Sequence, residues 1–166
     1  GKPLGHFYAK DIKKLCPKIF NNLFKFSVVR NPFDRLYSAY CFSREGGTKI
    51  MGMYNKNYYI NNPHFKDFDN FVNNWLTKQD LTKSDGVFRP QYLYLFDEKY
   101  NLLVDDFYKL EKLNDYCDLI SSLIGKPFKL ELLNQSIREK VVISHKTKKT
   151  IYKLYQKDFE LFNYSF

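Results

Sequence analysis

The hydrophobic positions of this chain change period several times, and each change marks an element. Phe26-Ser27-Val28-Val29 is short, aromatic and β-branched, and reads as a buried strand. Asn31-Pro32 ends it, and helical spacing follows through Tyr40. Asn31 suits a helix N-cap, Pro32 suits the first helical position, and Asp34 falls where a carboxylate meets the positive helix end. Upstream, Phe7 to Leu15 reads as a helix with outward lysines, ended by Cys16-Pro17. Downstream, Phe68, Phe71, Val72, Trp75 and Leu76 share one helical face, which predicts a core helix. Leu102 to Tyr108 reads as a second buried strand. Leu110, Leu113, Tyr116, Cys117, Ile120, Leu123 and Ile124 then repeat at helical spacing, with Gly125 as the stop and Pro127 beyond it. Ser144 predicts the cap of a last helix running through Ile151, Leu154 and Tyr155 towards Phe159. Residues 43 to 64, rich in glycine and asparagine, read as a long polar connection of the kind that forms lids and binding loops.

Arg30 therefore stands where a buried strand gives way to a helix. In open α/β folds that is where anionic ligands bind. Taken from local pattern alone, an ordinary strand-turn-helix with a solvated arginine explains the stretch at least as well.

Composition narrows the class. The chain has 166 residues, 44% of them hydrophobic and 19% aromatic, enough for one domain (residues 1–166) with a real core and too apolar for a disordered chain. The formal net charge of +9 favours anionic partners. Its lysines are scattered apart from the cluster at Lys146 to Lys149, and no nucleic-acid motif accompanies them. A basic nucleic-acid binder is thus the last-ranked reading. Cys16, Cys41 and Cys117 are odd in number, widely spaced and without a CxxC pair, which argues against a disulfide framework or a zinc site and favours a reducing compartment. No apolar run has the length of a membrane span, and no signal-peptide pattern is present.

The full string from Val28 to Tyr40 changes the weighing of Arg30. It resembles the 3′-phosphate-binding segment of sulfotransferases that use 3′-phosphoadenosine 5′-phosphosulfate (PAPS). Within them it is similar to the carbohydrate branch, whose segment runs V-R-[ND]-P-[FY]-[DE]-R-L-x-S-[AY]-Y. The resemblance implies that Arg30 and Ser38 hold the nucleotide 3′-phosphate. Gly5-His6 resembles a Gly-His pair of the same branch, which implies that His6 is the catalytic base; an imidazole titrating near neutral pH suits that task. A surface histidine is the competing reading. Arg35, on the helix three residues before Ser38, is expected to form a structural ion pair, with support of the phosphate pocket as the alternative. Phe88-Arg89-Pro90-Gln91 resembles the branch's H-[FW]-R-P-Q segment, with Val87 where histidine is common, and implies that Arg89 and Gln91 lie near the active cleft, where they hold substrate or close the cleft. Arg44, Lys49, Tyr54, Tyr58 and Tyr59 are candidate acceptor contacts, with a merely mobile loop as an equally good explanation. Glu111 matches a glutamate at a helix start, and Leu133-Asn134-Gln135-Ser136 a short loop approaching the nucleotide. The ending from Tyr155 to Tyr164 is similar to the branch's terminal pattern and reads as packing.

The resemblance implies an α/β, P-loop-NTPase-like sulfotransferase fold with a short central parallel sheet flanked by helices. The branch's phosphosulfate loop, P-K-[TS]-[AG]-[GT]-[TS], has no counterpart in this chain, so the domain is expected to be incomplete at its N-terminus and to turn over weakly alone. The activity implied is transfer of a sulfuryl group from PAPS to a carbohydrate hydroxyl, leaving adenosine 3′,5′-bisphosphate, without a metal. The alternative is a non-catalytic nucleotide- or glycan-binding module of the same fold. A cytoplasmic location is expected, or the Golgi lumen if the complete protein carries an N-terminal anchor.

Overall fold

A computed structural model describes residues 6–48, 51–53, 55–130 and 142–166. Lys49, Tyr54 and the Leu133-Asn134-Gln135-Ser136 loop lie outside the described residues. Two short helices come first, α1 (Ala9–Leu15) and α2 (Pro17–Asn22), divided at Cys16 because Pro17 cannot continue a helix but suits the start of the next. Strand β1 (Phe26–Val29) follows, then α3 (Pro32–Arg44). The predicted cap is present: the Asn31 side chain accepts from the Phe33 N–H at 2.9 Å, with Pro32 at the first helical position.

Strand β2 (Asp106–Lys109) pairs in parallel with β1, Phe26 opposite Asp106 and Val29 opposite Lys109. The protein is thus α/β, with a short parallel two-stranded sheet flanked by helices. Two expectations about the strands need correction. β1 is not buried throughout: Phe26 and Val28 remain 38% and 41% exposed, and only Val29 is sealed at 1%. Alternate side chains of a strand face opposite sides, and the side bearing Phe26 and Val28 borders a cavity. The second strand begins late, because Leu102 makes only an isolated bridge to Phe96 and the ladder with β1 starts where the Asp105 N–H donates to the Lys25 carbonyl at 2.8 Å.

The crossover between the strands builds most of the core. Helix α4 (Lys56–Ile60) follows a turn at Gly46-Gly47, both at positive φ; at Gly47 a Cβ would also collide with the Met51 carbonyl. The connection expected over residues 43–64 is therefore partly core, with Met53 and Tyr59 buried. Residues 68–78 are helical as expected, but in three pieces: α5 (Phe68–Asn70), a wide π turn over Phe71–Trp75, and a tight turn over Leu76–Lys78. Phe71 and Trp75 stack at 5.4 Å within it. Their rings join Tyr40, Tyr59, Phe65, Phe68 and Phe88 in one aromatic core. A short helix α6 (Tyr92–Leu95) precedes β2.

After β2 a 3₁₀ stretch, Leu110–Tyr116, leads into α7 (Cys117–Ile124). Gly125 ends α7 in the left-handed conformation, as its position implied. Leu113 and Ile120 are buried, whereas Leu110, Leu123 and Ile124 are exposed, so only part of the apolar face is covered. Ser144 caps α8 (His145–Leu154), accepting from the Thr147 N–H, and α9 (Gln156–Leu161) closes the chain. Ile151, Tyr155 and Phe159 enter the aromatic core and Phe162 packs on Val29 and Phe96, so the C-terminal aromatics are packing residues.

Candidate functional site

The turn at Arg30-Asn31 is held by side chains from far along the chain. Gln91 reaches it from the N-terminus of α6. Its Oε1 accepts from the Arg30 N–H at 2.9 Å and its Nε2 donates to the Arg30 carbonyl at 2.8 Å. Glu111 Oε1 accepts from the Asn31 N–H at 2.6 Å, and Glu111 Oε2 accepts from the Tyr164 hydroxyl at 2.9 Å. Burial and this carboxylate raise the Tyr164 phenol above its ordinary value. Both backbone N–H groups that precede α3 are thereby satisfied by side chains rather than by a strand.

Behind Gln91 stands Asp158, fully buried on α9. Its carboxylate accepts from the Gln91 and Tyr92 N–H groups at 2.8 and 2.9 Å, filling the capping role at the start of α6. Burial raises the Asp158 carboxyl; the two backbone N–H groups and the nearby Arg35 guanidinium work in the opposite direction.

A cavity of about 830 Å³ opens beside β1. Arg30, Ser38, Arg35, Lys25, Gln91 and His6 all line it. Ser38 sits on α3 about two turns beyond Asn31, so a strand end and a helix face contribute to one space. Lys25 is paired with Asp105 at 2.7 Å, so its charge is largely met within the protein. Arg35 Nη2 donates to the Gly86 carbonyl at 3.2 Å, which ties it to a loop that lines the same cavity. Gly86 is packed rather than strained. A Cβ there would lie 3.1 Å from both His6 Cδ2 and the Tyr94 hydroxyl oxygen. His6 is exposed, and its ring meets Tyr94 edge-on with centroids 6.2 Å apart. Val87, which replaces the histidine of the resembled motif, also lines the cavity.

The remaining expected site residues are placed differently. Arg89 Nε donates to the Ser84 carbonyl at 2.5 Å and Nη1 donates to the Tyr8 hydroxyl at 2.8 Å. It thus ties Tyr8, two residues after His6, to the loop that carries Gly86. Arg44 lies exposed at the end of α3, over the Tyr40 ring at 5.4 Å and 3.9 Å from Glu45, outside the cavity lining. Tyr58 accepts a hydrogen bond from Trp75 Nε1 at 3.0 Å. Tyr59 is buried rather than presented to a sugar: its ring is in the aromatic core and its hydroxyl donates to Asp85, and burial together with that carboxylate raises the phenol. An aromatic residue in a polar stretch looked like a surface contact, but the π turn and Phe65 supply it with an apolar seat.

Local sequence pattern did not single out Gly86 or Tyr94, and it took Asp158 for a packing residue. Asp158 carried a signal, as a carboxylate at helical spacing from the apolar Tyr155 and Phe162. Among the described residues no cluster of three or more His, Cys, Asp and Glu side chains could hold a metal ion, and no helix is long and apolar enough to cross a membrane.

A guanidinium at a strand end, a hydroxyl on the following helix and an imidazole on the same cavity wall suit an anionic ligand with a hydroxyl-bearing partner. Neither the curated proteins nor the solved structures provide a match to the chain. A profile of the sulfotransferase family matches residues 6–165. The short parallel sheet flanked by helices agrees with it, and the chain belongs to the sulfotransferase family.

Proposed function

We propose that this family member transfers a sulfuryl group from PAPS to a hydroxyl of a carbohydrate acceptor, a polysaccharide or glycolipid. The observation that carries the reading is the single cavity shared by Arg30, Ser38 and His6. Its volume lies within the range of about 300–1,000 Å³ common for cofactor-sized ligands. The donor, when bound, supplies the activated sulfate. The Arg30 guanidinium offers a charge-assisted fork to the 3′-phosphate and Ser38 adds one hydroxyl hydrogen bond. These two groups orient the donor and act at a distance from the sulfur. His6 takes the proton of the acceptor hydroxyl, and Arg89 supports it by holding Tyr8. Arg44 remains a candidate contact for an extended acceptor.

The test is calorimetry with adenosine 3′,5′-bisphosphate and a sulfate-transfer assay on the full-length protein with PAPS and a panel of polysaccharides. Arg30→Ala is expected to weaken nucleotide binding by about ten- to a hundredfold, the range for charged hydrogen bonds. His6→Ala is expected to leave that affinity within about twofold and to slow transfer by about 10²–10⁴-fold. Unchanged affinity in Arg30→Ala would remove the anchor from the reading, and unchanged transfer in His6→Ala would remove the base. A second reading, a non-catalytic nucleotide- or glycan-binding module, is favoured by Val87, whose aliphatic side chain occupies the cavity wall where the resembled motif has histidine. It predicts nucleotide or glycan binding with no transfer to any acceptor.

A further inference from the structure

The family resemblance implies that Gln91 holds substrate or closes the cleft; its amide is instead spent on the backbone of Arg30. We propose that Gln91 is the positioning residue of the anion site, fixing the backbone of Arg30 at the cavity wall so that its guanidinium meets the anion, with Asp158 as its own support. The proposal rests on the reading of Arg30 as an anion anchor.

The chemistry of the contact requires this residue type. β1 ends at Val29, whose partner in the ladder is Lys109. One residue further on, Arg30 has an N–H and a carbonyl to satisfy. A carboxamide carries one acceptor and one donor group on a single planar end, so it satisfies both at once, as a neighbouring strand would. A carboxylate has no donor and an ammonium has no acceptor. Gln91 is itself immobilised. Its backbone N–H donates to Asp158 at 2.8 Å, Asp158 is fully buried, and the Gln91 side chain is nearly so. A rigid post therefore stands behind the one residue whose guanidinium must be aimed. Phe88, three residues before Gln91, is sealed in the aromatic core and fixes the segment from its other end.

The experiment is a double-mutant cycle read by calorimetry with adenosine 3′,5′-bisphosphate on the full-length protein, with melting temperatures recorded for every variant. Gln91→Met keeps the volume and removes both hydrogen bonds. It is expected to weaken binding about tenfold with Arg30 present, or about 1.4 kcal/mol. In the Arg30→Lys background the same substitution is expected to cost less than about twofold, because a flexible point charge gains little from an aimed backbone. An equal cost in both backgrounds would mean a general structural role and overturn the proposal, as would no cost in either. Gln91→Asn, which keeps the amide but is too short to span both groups, replaces Gln91→Met if the latter does not fold, with the same outcomes. If the wild-type protein binds no adenosine bisphosphate, the cycle is run with inorganic phosphate. The same pattern with phosphate sustains the positioning role while the PAPS reading falls. Absence of phosphate binding as well overturns both.

Discussion

Asp158 places a carboxylate where no water reaches it, on a helix whose neighbours are mostly aromatic. Two backbone N–H groups and the Arg35 field make this tolerable, but burial still dominates and the carboxyl is raised above its ordinary value of 3.8. The sign of the linkage follows. In the window between the unfolded and the raised folded value, the native state binds more protons than the unfolded state. The stability that Asp158 contributes through its titration is therefore present below pH 3.8 and lost as pH rises through the folded value. Asp158→Asn removes that dependence and also one of the two acceptors facing Gln91 and Tyr92. It is expected to be about 1–3 kcal/mol less stable at mildly acidic pH. The gap should narrow as pH is raised towards neutrality, measured by urea unfolding of both proteins across that range. A gap that widens with pH would contradict the account of this residue.

Among the secondary-structure elements, the two segments that border the candidate site are stabilised by different means. β1 has few residues and, among the described residues, one strand partner, and two of its four side chains are substantially exposed. Its position is secured at the ends, by Val29 inside the second apolar cluster and by the Lys25–Asp105 contacts. The segment that carries Arg89 and Gln91 is secured by Phe88, whose ring meets Phe65, Phe71, Trp75 and Tyr59. Phe88→Ala is expected to cost about 3–5 kcal/mol, the range for emptying a buried aromatic site. Phe26→Ala is expected to cost less than half of that, because the ring is already partly in water. Thermal and urea unfolding of the two variants would check the order, and a reversal would mean that the strand rather than the aromatic core is the principal support.

Across the whole molecule, the last two helices join what the sheet leaves separate. Ile151, Tyr155 and Phe159 belong to the large aromatic cluster, while Phe162 belongs to the cluster around Val29. The Tyr155 hydroxyl, raised by burial, donates to the Phe88 carbonyl at 2.7 Å. The far end of the chain therefore holds the Arg30 turn by two routes, through Asp158 and Gln91 and through Tyr164 and Glu111. Such coupling predicts a single cooperative transition, with far- and near-ultraviolet circular dichroism coinciding. The small cluster of Tyr108, Leu113 and Ile120 is the exception, since the exposed face of α7 gives it little to lose on opening. Amide exchange is expected to be fastest there.

The amino-acid sequence by itself determined what depends on neighbours in the chain. The caps at Asn31 and Ser144, the stop at Gly125, the break at Cys16-Pro17 and the strand-turn-helix at Arg30 rest on local backbone preferences, which short segments carry intact. The string from Val28 to Tyr40 likewise carried the family resemblance with which the profile agrees. The tertiary structure alone decided how that turn is held. Gln91 lies 61 residues from Arg30, Glu111 lies 80 from Asn31, and Asp158 lies 67 from Gln91. Hydrogen bonds between such distant residues leave no period in the sequence. The same reason hid the burial of Tyr59 and the late start of β2, because each depends on which surfaces meet once the crossover has folded back.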